Sequence, residues 1–322
     1  MGATRANGLT FGCAPAQAVV EVTLEPDLNA EPQGRGFLRR WFRRAQPTEV
    51  APSREAVVVA FASGKGGTGK SFLATNTAIG LHARGKRVAL VDCDFGLANA
   101  HLLFGVNPRF SMQHLLDGGV PVHQVLTKTP YGPNLVAGGS GIASLAELDA
   151  RHMQTLARAL HWIASCHDVV LLDCGAGLSP QSLIMVLAAQ HVVLVTNPEI
   201  AALTDAYALI KCLARQAGHP QLHLAVNRVG QPGLGKVTFE RLAEVSRRFA
   251  ACEIHFLGEV PEDPQVTHRR LGQPPLVCSA PECATTKTVL AMCDALDVRM
   301  GPGLVRPGGG IEARMTAQIR RW

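Results

Sequence analysis

The chain has 322 residues, 47% of them apolar and 17% charged, and a net charge of +6. This composition supplies a sizeable core and excludes a wholly disordered chain. No run of roughly 18 apolar residues occurs and the start lacks a charged-then-apolar leader, so neither a membrane span nor secretion is expected.

The charge is unevenly placed. Residues 35–44 carry five arginines and no acid, residues 298–322 carry five arginines and Glu312, and the stretch between is close to neutral. That distribution argues against a broad nucleic-acid face on the folded body. Nine cysteines are scattered without a CxxC pair, the nearest set being Cys278, Cys283 and Cys293. Reduced thiols of a cytoplasmic protein are expected, and no zinc site.

Residues 1–54 read as an arm dominated by Pro, Gly, Ala and acids. Within it only GFLRRWFRR, residues 36–44, has a helical pattern. Phe37, Leu38, Trp41 and Phe42 fall on one side and Arg39, Arg40, Arg43 and Arg44 on the other. From residues alone this is a solvated arm, a helix docked on the body, a nucleic-acid arm or a membrane-seeking segment.

A folded domain is expected over 55–298. Apolar runs at 57–61, 88–91, 169–172, 192–195, 222–226 and 254–257 read as strands buried on both faces. Helical spacing fills 71–84, 146–165, 179–189, 201–217, 238–251 and 282–297. Alternation of this kind predicts an α/β fold, a mostly parallel twisted sheet covered by helices on both faces. Residues 299–322 read as a Gly/Pro-rich linker and a short amphipathic helix. Its stripe of Ile311, Met315, Ile319 and Trp322 either touches lipid or frays.

Directly after the first strand stands Ser63-Gly64-Lys65-Gly66-Gly67-Thr68-Gly69-Lys70-Ser71, with Phe72 next and a helix beyond. Gly64 to Ser71 fit G-x-x-x-x-G-K-[ST]. Glycines let successive N–H groups point inward as an anion nest, and the helix N-terminus adds partial positive charge. Lys70 is placed to reach the β- and γ-phosphates, and the Ser71 hydroxyl to bind Mg²⁺. Asp92 and Asp94 end the second strand, and Asp173 ends another. Ligand groups of open α/β sheets gather at that edge.

An ordinary phosphate loop needs no lysine at position 65. The form Lys-Gly-Gly-x-Gly-Lys-Ser resembles the deviant Walker A of the MinD/ParA (SIMIBI) P-loop ATPases. Asp173-Cys174-Gly175-Ala176-Gly177, Thr196–Glu199 and Thr204–Lys211 resemble segments of the same family, the last being most like its flagellar branch, FlhG or FleN. The resemblance runs over about 56–297. It implies ATP and Mg²⁺ as cofactors and slow, partner-stimulated hydrolysis. It further implies that Lys65 reaches the partner's phosphates in an ATP-bound homodimer, and that Asp94 orients the attacking water. Asp173 would support Mg²⁺ and begin a switch loop, with Ser71, Asp94 and Asp173 around the metal. Asn227 and Arg228 would lie at the adenine, with Pro261 in a late loop packed on the base.

GFLRRWFRR is similar to the membrane-targeting sequence of MinD, there at the chain end and here ahead of the domain. The resemblance therefore implies a cytoplasmic protein that cycles onto the anionic inner face of the cell membrane. It would place or count flagella, with the flagellar GTPase FlhF or a flagellar regulator as partner. The Asp-Gln-Ala-x-x-Leu-Arg motif that addresses FlhF is absent from residues 1–50. Division-site placement by a MinD and a ParA-like DNA partition role are the alternatives, and DNA is disfavoured by the near-neutral body.

Overall fold

The computed structural model describes residues 55–139, 148–216, 218–270, 272–301 and 309–321. The basic segment with Phe37, Leu38, Trp41 and Phe42 lies outside the described residues, as does Trp322. In chain order the strands are β1 (Val57–Ala62), β2 (Val88–Cys93), β3 (Leu126–Lys128), β4 (Asn134–Val136), β5 (Val169–Cys174), β6 (His191–Thr196), β7 (Gln221–Val229) and β8 (Ile254–Pro261). The first four helices are α1 (Lys70–His82), α2 (Ala100–Leu103), α3 (Met112–Leu116) and α4 (Val122–Val125). Then come α5 (Ala150–Cys166), α6 (Pro180–Ala188), α7 (Ile200–Ala214) and α8 (Leu234–Ala250). The last are α9 (Pro264–Thr267), α10 (Leu276–Ser279), α11 (Ala284–Met300) and α12 (Ile311–Ile319).

One eight-stranded sheet has the order β3-β4-β2-β5-β1-β6-β7-β8. Every neighbouring pair is parallel except β3 with β4. The expected parallel sheet is therefore present, with one antiparallel edge strand. β1 is central, and all six of its residues are buried. Alternate residues feed two cores: Val58, Ala60 and Ala62 face one, and Val57, Val59 and Phe61 face the other. That two-sided burial is why the strands read as unbroken apolar runs rather than as alternating patterns.

The face of Val57, Val59 and Phe61 is covered by α1 and α11. They approach closely at Gly80, where an added Cβ would lie 2.6 Å from the Cys293 sulfur. The other face carries α5, α6, α7 and α8. Local chemistry starts these helices where the pattern does. Asp149 caps α5 by accepting from His152 N, and Ser179 caps α6, ahead of Pro180, by accepting from Ser182 N.

The structure corrects one expectation. The described part of the C-terminal stripe, Ile311, Met315 and Ile319, is packed into the body and is neither free for lipid nor frayed. Ile311 and Met315 are fully buried, and Ile319 packs against the same core, over α5 and α6. Two polar contacts fix the helix: Ile311 N donates to Glu55 Oε1 at 2.7 Å, and Arg314 Nε donates to the Ala188 carbonyl at 2.6 Å. A stripe this narrow matches the cleft between two helix ends, and that cleft takes it. Among the described residues no helix is long and apolar enough to cross a membrane.

Candidate functional site

Because the strands around β1 run parallel, the loops leaving β1, β2, β5, β6, β7 and β8 emerge at one edge of the sheet. The loop after β1 winds into α1 through Gly67 and Gly69, with φ of 78° and 89°. Only glycine adopts those angles without strain. Gly64, and Gly69 again, are also fixed by close neighbours. A Cβ on Gly64 would sit 2.3 Å from the Asp205 carbonyl carbon of α7. One on Gly69 would sit 2.2 Å from the Asn227 amide nitrogen.

Lys70, the first residue of α1, is turned into the site. Its Nζ donates to Asp173 Oδ1 at 2.5 Å and lies 3.5 Å from the Ser71 hydroxyl. The two side chains are 7% and 1% exposed. Burial works against the ammonium charge. The attraction and hydrogen bond of Asp173, with smaller contributions from Cys174 and Asp94, outweigh it, so the Lys70 pKa is raised. The second oxygen of Asp173, Oδ2, is buried without a partner, as are the hydroxyls of Ser63 and Thr68. A buried carboxylate oxygen and hydroxyls with nothing to bond are groups that a phosphate and its hydrated metal satisfy.

Asp92 and Asp173 lie side by side in register on β2 and β5. Asp92 is fully buried. It accepts Asp94 N at 3.1 Å through one oxygen, and Asn99 N and Ala100 N, both at 3.0 Å, through the other. Burial and the neighbouring Asp173 charge push its pKa up to about 7, against the pull of these backbone donors. Its geometry is that of a brace for the loop carrying Asp94. Asp94 in turn accepts Leu97 N at 3.0 Å, and an added Cβ on Gly175 would lie 3.8 Å from Asp94 Oδ1. The loops after β2 and β5 thus face each other across the site.

Lys65 projects from the outer shoulder of the loop and pairs with Glu199 at 3.5 Å. Leu97, Leu178 and Ile200, on the loops after β2 and β5 and at the start of α7, are 78%, 42% and 85% exposed at the same edge. Asn227 Nδ2 donates to the Thr68 carbonyl at 2.7 Å and so buttresses the phosphate loop. Arg228 has a left-handed φ of 55° and is exposed. Pro261 is in register with Val229, which places Asn227, Arg228 and Pro261 at the ends of two adjacent strands.

The structure brings Lys70, Ser71, Asp94 and Asp173 into one cluster, with Lys65 at its rim and Asn227 behind it. Three partners escaped the sequence reading: Asp92 as a brace, Glu199 against Lys65, and Asp205 against Gly64. Asp92 had a signal, its place beside Asp94 at a strand end. Glu199 and Asp205 lie in the two segments whose likeness to the family was noted, but nothing in the sequence joins them to a phosphate loop more than a hundred positions earlier.

A family model described as ParA: NUBPL iron-transfer P-loop NTPase matches residues 54–297. The chain is 35% identical over 209 residues to the antiactivator FleN of Pseudomonas aeruginosa, spanning 65% of this chain and 75% of that protein. It is 34% identical over 203 residues to the flagellum site-determining protein YlxH of Helicobacter pylori, spanning 63% and 68%. Among solved structures, the septum site-determining protein MinD complexed with Mg-ADP, from Pyrococcus horikoshii, superposes with a TM-score of 0.64 at 25% identity. That match covers 77% of this chain and 99% of the other.

Proposed function

The chain belongs to the ParA/MinD family of P-loop ATPases, and from that premise we propose that it is a membrane-cycling switch that sets the placement or number of flagella. It is an ATPase, and its nucleotide is ATP with Mg²⁺. In the proposed cycle Lys70 binds the β- and γ-phosphates, and the backbone N–H groups of residues 64–72 cradle them. Ser71, Asp94 and Asp173 hold the metal shell, which neutralises phosphate charge. Asp94 orients water. Asn227, Arg228 and Pro261 border the adenine.

The observation that carries the reading is Lys65. Among the described residues its one polar contact is an exposed ion pair, worth at most about 1 kcal/mol. It stands free to leave Glu199 on an edge rimmed by exposed Leu97, Leu178 and Ile200. A lysine and apolar rim of that kind suit a second copy of the chain seated over bound ATP. The 36–44 segment, weak alone, gains from pairing. Each arginine near an anionic surface is worth about 1 kcal/mol, and two linked copies bind far better than one. Likeness to FleN and YlxH supports the flagellar role.

The test is self-association and co-sedimentation with anionic vesicles, in ATP and in ADP. Wild type is expected to dimerise and pellet in ATP only. Lys65→Ala is expected to bind nucleotide yet stay monomeric and in the supernatant. Dimers in Lys65→Ala would remove that lysine's role, and vesicle binding indifferent to nucleotide would remove the cycle. The MinD likeness supports division-site placement as a second reading. Cells lacking the protein that divide at the wrong place, with normal flagella, would establish it instead.

A further inference from the structure

Asp92 has no place in the cycle set out above, yet its carboxylate makes three hydrogen bonds at the nucleotide edge. It is fully buried near the end of β2. Oδ1 accepts Asp94 N at 3.1 Å, and Oδ2 accepts Asn99 N and Ala100 N, each at 3.0 Å. These donors lie at the two ends of one loop, residues 94–99. A single carboxylate therefore staples the loop at its entry and at its exit. Inside the staple, Asp94 Oδ1 accepts Leu97 N at 3.0 Å, which fixes the direction of the Asp94 carboxylate. Phe95 and Ala98 of the same loop are buried, and Leu97 is exposed at the rim.

An aspartate that only started α2 would need one oxygen. Here the other oxygen holds the amide of Asp94. Nor is Asp92 the partner of Lys70, whose Nζ goes to Asp173. The segment after β4 hems the loop in from the side. A Cβ added at Gly138 would lie 2.7 Å from the Ala98 Cβ and 3.1 Å from the Asp92 carbonyl oxygen.

We propose that Asp92 is a positioning residue for ATP hydrolysis: through the two ends of the loop it sets Asp94 against the attacking water, without itself touching nucleotide, metal or water. The inference rests on the reading of Asp94 above as the group that orients water. Misplacing such a group by about 1 Å costs roughly a hundredfold in rate, so a staple that removes the loop's freedom bears directly on turnover.

Asp92→Asn tests this. The amide has one acceptor atom where the carboxylate has two. Its oxygen can stay with Asn99 N and Ala100 N only if its NH2 group faces Asp94 N, donor against donor. Turned over, it releases the other end instead. Either way one end of the loop comes free. The full chain is compared with Asp92→Asn, Gly138→Ala and Asp94→Ala for kcat, KM for ATP, the Mg²⁺ concentration that gives half-maximal turnover, and Tm.

Asp92→Asn is expected to lose roughly tenfold or more in kcat, with KM and the Mg²⁺ requirement within about threefold of wild type, because Lys70, Ser71 and the phosphate loop keep their places. Gly138→Ala presses on the loop and leaves the carboxylate in place, and is expected to lower kcat at unchanged KM by a smaller factor. A folded Asp92→Asn chain with wild-type kcat overturns the inference. So does a rise in KM or in the Mg²⁺ requirement that accounts for the loss, because it puts Asp92 on the phosphates or the metal. Should Asp92→Asn fail to fold, Gly138→Ala decides: lower kcat at unchanged KM supports the inference, and unchanged kcat overturns it. Asp94→Ala turning over as fast as wild type overturns the water reading and the inference with it. An inactive Asp94→Ala beside a fully active Asp92→Asn overturns the inference alone.

Discussion

His191, His223 and His255 stand side by side on β6, β7 and β8, their ring centroids 5.3 and 5.7 Å apart. His223 is fully buried, and burial first, then the neighbouring His191, Arg299 and His255, drives its pKa from 6.5 down to about 3. A base whose folded pKa is depressed resists protonation that the unfolded chain accepts. Stability is therefore lost as pH falls below 6.5 toward 3. Asp92 has the opposite sign: an acid raised to about 7 adds stability as pH falls from 7 toward its unfolded value of 3.8. Replacing His223 by Leu should remove the acid-side loss. Urea melts should then show the variant gaining on wild type below pH 6.5, by at most about 1.4 kcal/mol per pH unit. A constant difference across that range would mean that His223 does not carry the linkage. At Gly64 the expectation is steric. Gly64→Ala places a methyl against the Asp205 backbone, so the loop must shift, and ATP affinity should fall at least tenfold by calorimetry with the fold intact. Lys70→Ala leaves Asp173 buried and unpaired, and should cost roughly 3–5 kcal/mol in nucleotide-free stability, besides abolishing turnover.

At the scale of elements, what was legible follows from what is local. Five of the six long strands announce themselves because they are buried on both faces, whereas β8, at the sheet edge, is only half-buried along most of its length. The phosphate loop is legible because its glycines, its lysine and its helix are contiguous. Leu126–Lys128 and Asn134–Val136 are three residues each, too short for any period, and they pair only with each other and β2. The short helices α2, α3 and α4 fail for the same reason. The partner of α12 was illegible for a different reason: an apolar stripe says that a face must be covered, and only the fold says by what. Since α12 completes a core, Met315→Ala should lower stability by about 2–4 kcal/mol, read by thermal or urea melting, while leaving vesicle binding as in the wild type. Loss of vesicle binding without loss of stability would return that helix to the membrane. The contacts of Glu199 and Asp205 are of this second kind, since both join positions over a hundred residues apart.

Across the whole molecule the chemistry gathers at one edge. The strands' C-terminal edge holds Lys70, Asp173, Asp94 and Lys65, with Asp92 bracing the loop that carries Asp94. The near-neutral net charge of the body conceals that gathering, because charge counts carry no positions. One feature of the fold also has a mechanical meaning. Residue 55 leads straight into β1, and β1 lies between β5 and β6, bonded along both sides, while Glu55 also holds the first turn of α12. A tension applied through the preceding segment would enter at the middle of the sheet rather than at an edge. It would have to shear two rows of backbone hydrogen bonds together instead of unzipping one, and the chain's last helix would share the load.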